Sequence, residues 1–231
     1  MPNRPNRPKP EGVPPLATAV YEALPAAQAV VVHGEGAIGD HLEQAARAAL
    51  AARNCDLRRV RDCGWTGLAI DAARLMLTDG RSASDCADAL GVPDVAVFDR
   101  PLAWPLPPAM PLAYALAEGS SEAWRRQAAA WLAGLGFTPL RLADAPGLVV
   151  ARTVAMLINE AADAVQQGAC TPEGADTAMK LGVNYPAGPF EWLAQWAAAD
   201  VVALLDALDN CYRGESYRVS PWLRRRARAA R

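Results

Sequence analysis

The feature that most restricts how this chain can fold is Gly34-Glu35-Gly36-Ala37-Ile38-Gly39, placed directly after Ala29-Val-Val-Val-His33 and before a run of helix formers. A short β-branched run bounded by glycine reads as a buried strand. From Asp40 to Arg53, Leu42, Ala45, Ala46, Ala49 and Leu50 recur at helical spacing. Strand, glycine turn and helix in that order form the unit of an open α/β sheet. In such a unit the first glycine permits the tight turn and the second lets a pyrophosphate approach the backbone, while the helix N-terminus supplies amides and a positive dipole end. Gly34, Gly36 and Gly39 are therefore the candidate cofactor-binding residues. The acid expected about 20 residues further on, to hold ribose hydroxyls, is weakly represented: that region carries Arg58 and Arg59, with Asp62 a little late. Glu35 also places negative charge inside the loop. Two readings stay open. Either the turn binds NAD(P), with Arg58 and Arg59 accepting a 2′-phosphate, or it survives as architecture without a ligand.

The remaining punctuation divides the chain in two. Residues 56–60 read as a second strand, 66–77 as a helix, and 82–90 as a helix with Ser82 as N-cap and Asp85 completing a capping box. Val95-Ala-Val-Phe98 is a strand. The stretch 101–111, with five prolines in eleven residues, is a loop. Residues 112–117 read as a strand, Ser120 as the cap of a helix to about Gly134, and 138–142 as a last strand. The space between Val60 and Val95 allows at most one further strand. Beyond Asp144-Ala-Pro-Gly147 no strand pattern occurs. Residues 148–167 form an amphipathic helix stopped by Gly168, Thr171-Pro172-Glu173 opens another, and 190–209 gives one or two more. The expected domains are a proline-rich flexible tail at 1–28, an α/β segment at 29–145 and a helical domain at 146–231.

The chain has 231 residues, 52% of them hydrophobic, and a formal net charge of −2. That balance excludes a disordered chain and a strongly basic nucleic-acid binder. Arginine supplies 21 of the 23 basic residues, leaving Lys9 and Lys180, and alanine occurs 50 times. A composition so skewed follows as readily from codon bias as from function, so no partner is read from it. Five scattered cysteines without a Cys-x-x-Cys spacing imply neither a disulfide framework nor a metal site. The start has no apolar core for a signal peptide, and no run reaches the roughly 18 apolar residues of a membrane span. A cytoplasmic protein is expected.

No nucleophile elbow, Walker sequence or His-Glu-x-x-His occurs. The two histidines, His33 and His41, flank the glycine loop, where a hydride-transfer base would not sit, and read as local residues. The acid pairs Asp85/Asp88 and Asp206/Asp209 read as solvated helix faces. The arginines of the end, Arg213, Arg218, Arg224, Arg225, Arg226, Arg228 and Arg231, meet either a phosphorylated ligand or only solvent at a helix terminus. Trp192, Trp196 and Trp222 pack helices together or line a subunit contact.

Several blocks in fixed order resemble the 3-hydroxyacyl-CoA dehydrogenase family. They are residues 144–152 (Asp-Ala-Pro-Gly-Leu-Val-Val-Ala-Arg), Asn159-Glu160-Ala161, residues 181–190 (Leu-Gly-Val-Asn-Tyr-Pro-Ala-Gly-Pro-Phe) and residues 217–225 (Tyr-Arg-Val-Ser-Pro-Trp-Leu-Arg-Arg). Together with Thr78-Asp-Gly-Arg81 and Val97-Phe-Asp99 they are similar to the second half of the phenylacetate-pathway type enzymes, in which a degenerate α/β segment precedes a second helical domain. The resemblance implies an α/β fold: a truncated Rossmann-like segment followed by an all-α 6-phosphogluconate-dehydrogenase-C-terminal-like helical domain. It implies NAD-dependent oxidation of 3-hydroxyacyl-CoA to 3-ketoacyl-CoA, NAD as cofactor, an acyl-CoA substrate, and a homodimer or association with a full-length dehydrogenase through the helical domain. The family's catalytic positions are substituted. Its His falls at Leu102, the Asn of the same loop at Pro105, its Glu at Tyr114 and its helix Asn at Ala151. General-base chemistry needs a titratable group at the hydroxyl, so no catalytic residue is assigned. The chain alone is expected to be weakly active or inactive, the alternative being a non-catalytic dimerisation or acyl-CoA-binding subunit.

Overall fold

A computed structural model describes residues 23–61, 63–102, 105–107 and 109–229. Asp62 and residues 1–22 of the proline-rich tail lie outside the described residues. The last part of the expected tail is packed: Leu24 and Ala27 lie against the core, and the amides of Gln28 and Ala29 donate to the Asp71 carboxylate.

Among the described residues the α/β part is one seven-stranded sheet. Its strands are β1 (Ala29–His33), β2 (Asp56–Val60), β3 (Gly67–Ile70), β4 (Ala73–Leu77), β5 (Val95–Phe98), β6 (Met110–Leu116) and β7 (Phe137–Arg141), in the spatial order β2-β1-β3-β4-β5-β6-β7. The pairs β1/β2, β4/β5 and β6/β7 are parallel, and β1/β3, β3/β4 and β5/β6 are antiparallel. Strands β1, β4 and β5 consequently end at the same edge. Helices α1 (Gly36–Leu50) and α3 (Glu122–Gly134) cover one face through Leu42, Ala46, Trp124 and Trp131, while α2 (Ala83–Leu90) covers the other. Alternation along β5 serves both: Ala96 and Phe98 face the first cluster, Val95 and Val97 the second.

The hairpin β3–β4 replaces the helix expected over 66–77, and it adds two strands where at most one had room. Both strands are central and largely buried on both faces, so their sequence is a mostly apolar run, with Arg74 the one charged residue, and shows no clean alternation. Leu, Ala, Met and Arg in that run carry helix propensity, and burial in the sheet overrides it. Asp71 makes the turn at φ 47°, a left-handed conformation that aspartate tolerates. The helix expected from Asp40 begins earlier, inside the glycine loop at Gly36. The α3 cap is Ser121, not Ser120: its hydroxyl accepts from the Trp124 amide, and the Ser120 hydroxyl donates instead to the carbonyl of Pro93. Ser82 and Asp85 form the expected capping box of α2.

Beyond Gly147 the described chain is helical: α4 (Val150–Gln166), α5 (Pro172–Val183), α6 (Pro189–Trp196), α7 (Ala198–Tyr212) and α8 (Pro221–Ala229). Their core joins Val154, Ile158, Trp192, Trp196, Leu204, Leu205 and Leu223. Asn159 sits within it, donating to the carbonyl of Arg218 and accepting from the Ser220 amide, which ties α4 to the segment entering α8. Trp222 lies outside this buried set, edge-on to Phe190 and under Arg226.

Two aspartates cap helices from a distance, and the first of them joins the halves. Asp99, at the end of β5, is fully buried and accepts from the amides of Val149, Val150 and Ala151, the opening turn of α4. Asp144 accepts from the amides of Ala83 and Ser84 at the start of α2. Each carboxylate meets orphan amides at a positive helix end. Burial pushes the Asp99 carboxyl above the usual carboxylate range, and its backbone donors pull it back.

Candidate functional site

The carboxyl ends of β1 and β4, the Arg100 segment following β5, and α7 of the helical part enclose a cleft of about 350 Å³. In open α/β sheets this edge is where ligands bind. Gly34, Glu35, Cys63, Trp65, Thr66, Thr78, Asp79, Arg100 and Asp200 are among its lining residues. Gly80 closes the approach of the two halves: at φ 102° a β-carbon there would lie 2.5 Å from the Leu204 carbonyl oxygen.

The glycine loop forms one wall, and its interior is occupied by Arg59. This side chain is only 6% exposed. Nη2 and Nε donate to the Gly34 carbonyl at 2.8 and 3.2 Å, and Nη1 donates to the Gly39 carbonyl at 2.9 Å. Its charge is met by Glu43 at 2.8 Å and Asp40 at 3.0 Å. Arg47 first and Arg59 second hold the Glu43 carboxyl below the usual range. Two of the three glycines meet internal constraints. A β-carbon at Gly34 would collide with Thr66, and one at Gly39 would lie 2.7 Å from Arg59 Nη2. Gly36, at φ 71°, faces open space.

Arg58 and Arg59 do not act as a pair. A strand sends successive side chains to opposite faces, so Arg59 enters the loop while Arg58, 72% exposed, meets Asp56. That alternation was readable in advance, and it separates the two candidates for a 2′-phosphate. The weak ribose candidate Asp62 lies outside the described residues.

The cleft carries more negative than positive charge. Glu35, Asp79 and Asp200 line it. Arg100 is bound to Asp200 at 3.1 Å and lies 5.0 Å from the Trp196 ring, and Arg81 is held by Asp79 at 2.6 Å. A pyrophosphate here would meet carboxylates and already-paired guanidinium groups. The described residues therefore do not fit the diphosphate of a dinucleotide.

His33 stacks on Trp65 with centroids 4.2 Å apart, and its Nδ1 lies 3.4 Å from Cys63 Sγ. Burial first, and Arg74 second, lower its pKa. His41 contacts the Leu135 carbonyl and the Phe137 ring, so both histidines have local partners. At the positions expected to correspond to the family's catalytic groups, Leu102 packs on the helical core, Tyr114 is buried in the sheet core and Ala151 is fully buried. Ala151 presents its amide to Asp99. Among the terminal arginines, Arg224 binds Asp206 bidentately, Arg218 binds Asp163, and Arg225 donates to Gln166. Asp85 is the α2 capping acid and Asp206 an ion-pair partner, so neither is the purely solvated acid expected. Among the described residues no cluster of three or more metal-ligating side chains occurs.

This architecture, a reduced α/β sheet whose last strands hand over to a helical domain through an aspartate-capped junction, defines the class: a Rossmann-like domain followed by a dehydrogenase-type helical domain. Two family models match in succession. Residues 75–146 match the 3-hydroxybutyryl-CoA dehydrogenase reduced Rossmann-fold domain, and residues 147–231 match the 3-hydroxyacyl-CoA dehydrogenase C-terminal domain. From residue 75 onward the chain belongs to the 3-hydroxyacyl-CoA dehydrogenase family. The chain is 40% identical over 158 residues to a 3-hydroxyadipyl-CoA dehydrogenase of Escherichia coli, a match covering 68% of this chain and 32% of that protein. A probable 3-hydroxybutyryl-CoA dehydrogenase of Deinococcus radiodurans is 40% identical over 96 residues, 41% of this chain and 34% of the relative. The crystal structure of an Escherichia coli 3-hydroxybutyryl-CoA dehydrogenase superposes with a TM-score of 0.65 at 39% identity, covering 71% of this chain and 33% of that one. The chain thus spans about a third of the length of these relatives. The matched family domains begin inside β4, after the glycine loop.

Proposed function

We propose that this chain is a partner in CoA-thioester metabolism without hydride transfer of its own, a helical-domain half that docks on a helical domain of its own kind and helps to shape an acyl-CoA cleft. The reading that it lacks hydride transfer of its own is supported by the loop filled with Arg59, the acidic cleft mouth, and the apolar or buried side chains at Leu102, Tyr114 and Ala151. A hydroxyl oxidised by hydride transfer must lose its proton to a positioned base, and none of these positions offers one at the cleft.

The single observation that carries docking is the surface of α5. Only Ala175 of its residues is buried. Gly174, Ala178, Leu181 and Gly182 are exposed and lie three or four residues apart, on one face. Leu181 is 83% exposed and Val183, just beyond it, 56%. A small-residue face that carries the exposed Leu181 near its end admits the close approach of another helix, Val183 lying on the opposite side. The occupant is a second helical domain of this family, either in another copy of this chain or in a full-length 3-hydroxyacyl-CoA dehydrogenase.

Sedimentation of the purified chain, alone and mixed with such a dehydrogenase, tests this. The expected result is a complex in at least one of the two samples, which Leu181→Asp dissolves without loss of helical circular dichroism. A monomer in both samples would refute docking.

A further inference from the structure

Cys63, which lines the cleft, is in contact with His33, and neither has a part in the docking described above. His33 Nδ1 and Cys63 Sγ are 3.4 Å apart. Stacking on Trp65, with the two ring planes inclined by 22°, fixes the imidazole from the other side. The thiol is also within 3.3 Å of the Trp65 carbonyl, which holds it in place without supplying a base. Cys63, Gly64, Trp65 and Thr66 together line the 350 Å³ volume.

The setting differs from that of the other four cysteines, all unpaired. Cys86 is buried and its thiol is pushed up to about 12, a level at which almost no thiolate forms. Burial also pushes the Cys55 thiol up. Cys211 is exposed on α7 and Cys170 precedes α5, while the second described imidazole, His41, is engaged at Leu135 and Phe137. Burial first, and Arg74 second, disfavour the charged form of His33, and a neutral imidazole protonated on Nε2 presents the Nδ1 lone pair to the thiol. A nucleophile and a base in contact, with the base oriented by a third group, is the arrangement used to activate thiols.

We propose that Cys63 is a nucleophilic thiol, with His33 as its general base, that accepts the acyl group of a thioester entering the cleft. In this step His33 Nδ1 takes the thiol proton and Cys63 Sγ attacks the thioester carbonyl carbon. Collapse of the tetrahedral adduct breaks the donor's carbon–sulfur bond. The departing thiolate takes the proton back from His33 and leaves as a free thiol, so a thioester on Cys63 replaces the thioester consumed and no oxidant or reductant is needed. The choice of a thioester rests on the acyl-CoA reading above; the nucleophile itself rests on geometry.

The test combines two probes on the full chain, read by peptide mass spectrometry. With iodoacetamide at pH 7, Cys63 is expected to alkylate at least about tenfold faster than Cys211, and His33→Asn, checked for unchanged circular dichroism, should remove most of that advantage. With acetyl-CoA, an acetyl group is expected on Cys63, with one equivalent of free CoA thiol released, discharge by hydroxylamine, and no adduct in Cys63→Ser. Equal alkylation of Cys63 and Cys211, or an unchanged rate in His33→Asn, overturns the activated thiol whatever becomes of the acyl-CoA reading. Fast, His33-dependent alkylation with no acetyl adduct overturns the acyl transfer.

Discussion

Replacing Arg59 by Met tests the most specific statement about the glycine loop, that its interior is built around a cation of the chain itself. Methionine keeps most of the apolar stem and removes the guanidinium. The Gly34 carbonyl then loses both guanidinium bonds, and the Gly39 carbonyl, inside α1, loses the donor it has besides its helical amide. Hydrogen bonds from charged donors contribute about 1.5–3 kcal/mol each, and leaving a partly buried acceptor unpaired costs in the same range. The ion pairs with Glu43 and Asp40 add little, because Asp40 is 69% exposed and such pairs contribute about 0–1 kcal/mol. The expected loss is about 2–4 kcal/mol, which for a chain of this size lowers the melting temperature by roughly 6–12 °C. Arg58→Met, on the opposite face of β2, is the matched control and should stay within about 0.5 kcal/mol. The effect also carries a pH signature. Arg47 and Arg59 hold the Glu43 carboxyl below its ordinary value of 4.5, so the stability from that pairing is present above 4.5 and is lost as pH falls through the depressed folded value. The gap between wild type and Arg59→Met should therefore narrow on acidification. Thermal unfolding followed by circular dichroism at neutral and acid pH measures both. An Arg59→Met variant as stable as Arg58→Met would refute the filled loop.

Two further perturbations address the joint between the halves. Asp99→Asn keeps one acceptor oxygen but turns an amide group toward backbone donors, stranding one or two buried amides; about 3 kcal/mol should be lost in urea unfolding, with the α4 opening turn losing hydrogen-exchange protection first. Gly80→Ala places a methyl against the Leu204 carbonyl at a backbone angle that alanine resists, and should cost about 2–3 kcal/mol, whereas Gly91→Ala, at φ 64° with open space around it, should cost about 1 kcal/mol. Equal losses at the two glycines would contradict the close approach of α7.

Much of this fold was legible because its signals are local. Ser82 with Asp85, Thr171 with Pro172, and Gly168 after α4 are caps whose chemistry does not depend on distant partners. Strands β1 and β5 are short β-branched runs between breakers. The blocks from Asp144 onward were legible for the same reason, and in the structure two of them hold one another, Asn159 accepting from the Ser220 amide, while Asp144 caps α2. The hairpin β3–β4 was hidden because a strand buried on both faces has no alternation to show. Arg59 was hidden for a different reason. The glycine pattern states where a backbone can be approached closely, and it does not state by what. Here the approaching groups are Thr66 and Arg59 of the same chain, 32 and 20 residues from Gly34 and Gly39 in sequence. Only the two-residue period of β2 hinted that Arg58 and Arg59 part company. The Cys63–His33 contact spans 30 residues and has no spacing signature at all.

The central claim is that this chain does not itself carry out the family's hydride transfer, and one assay bears on it most directly. The purified chain is incubated with 3-hydroxybutyryl-CoA and NAD, and NADH formation is followed. The account predicts no turnover above the uncatalysed background. Turnover at ordinary enzymatic rates of about 1–10³ s⁻¹ would contradict it.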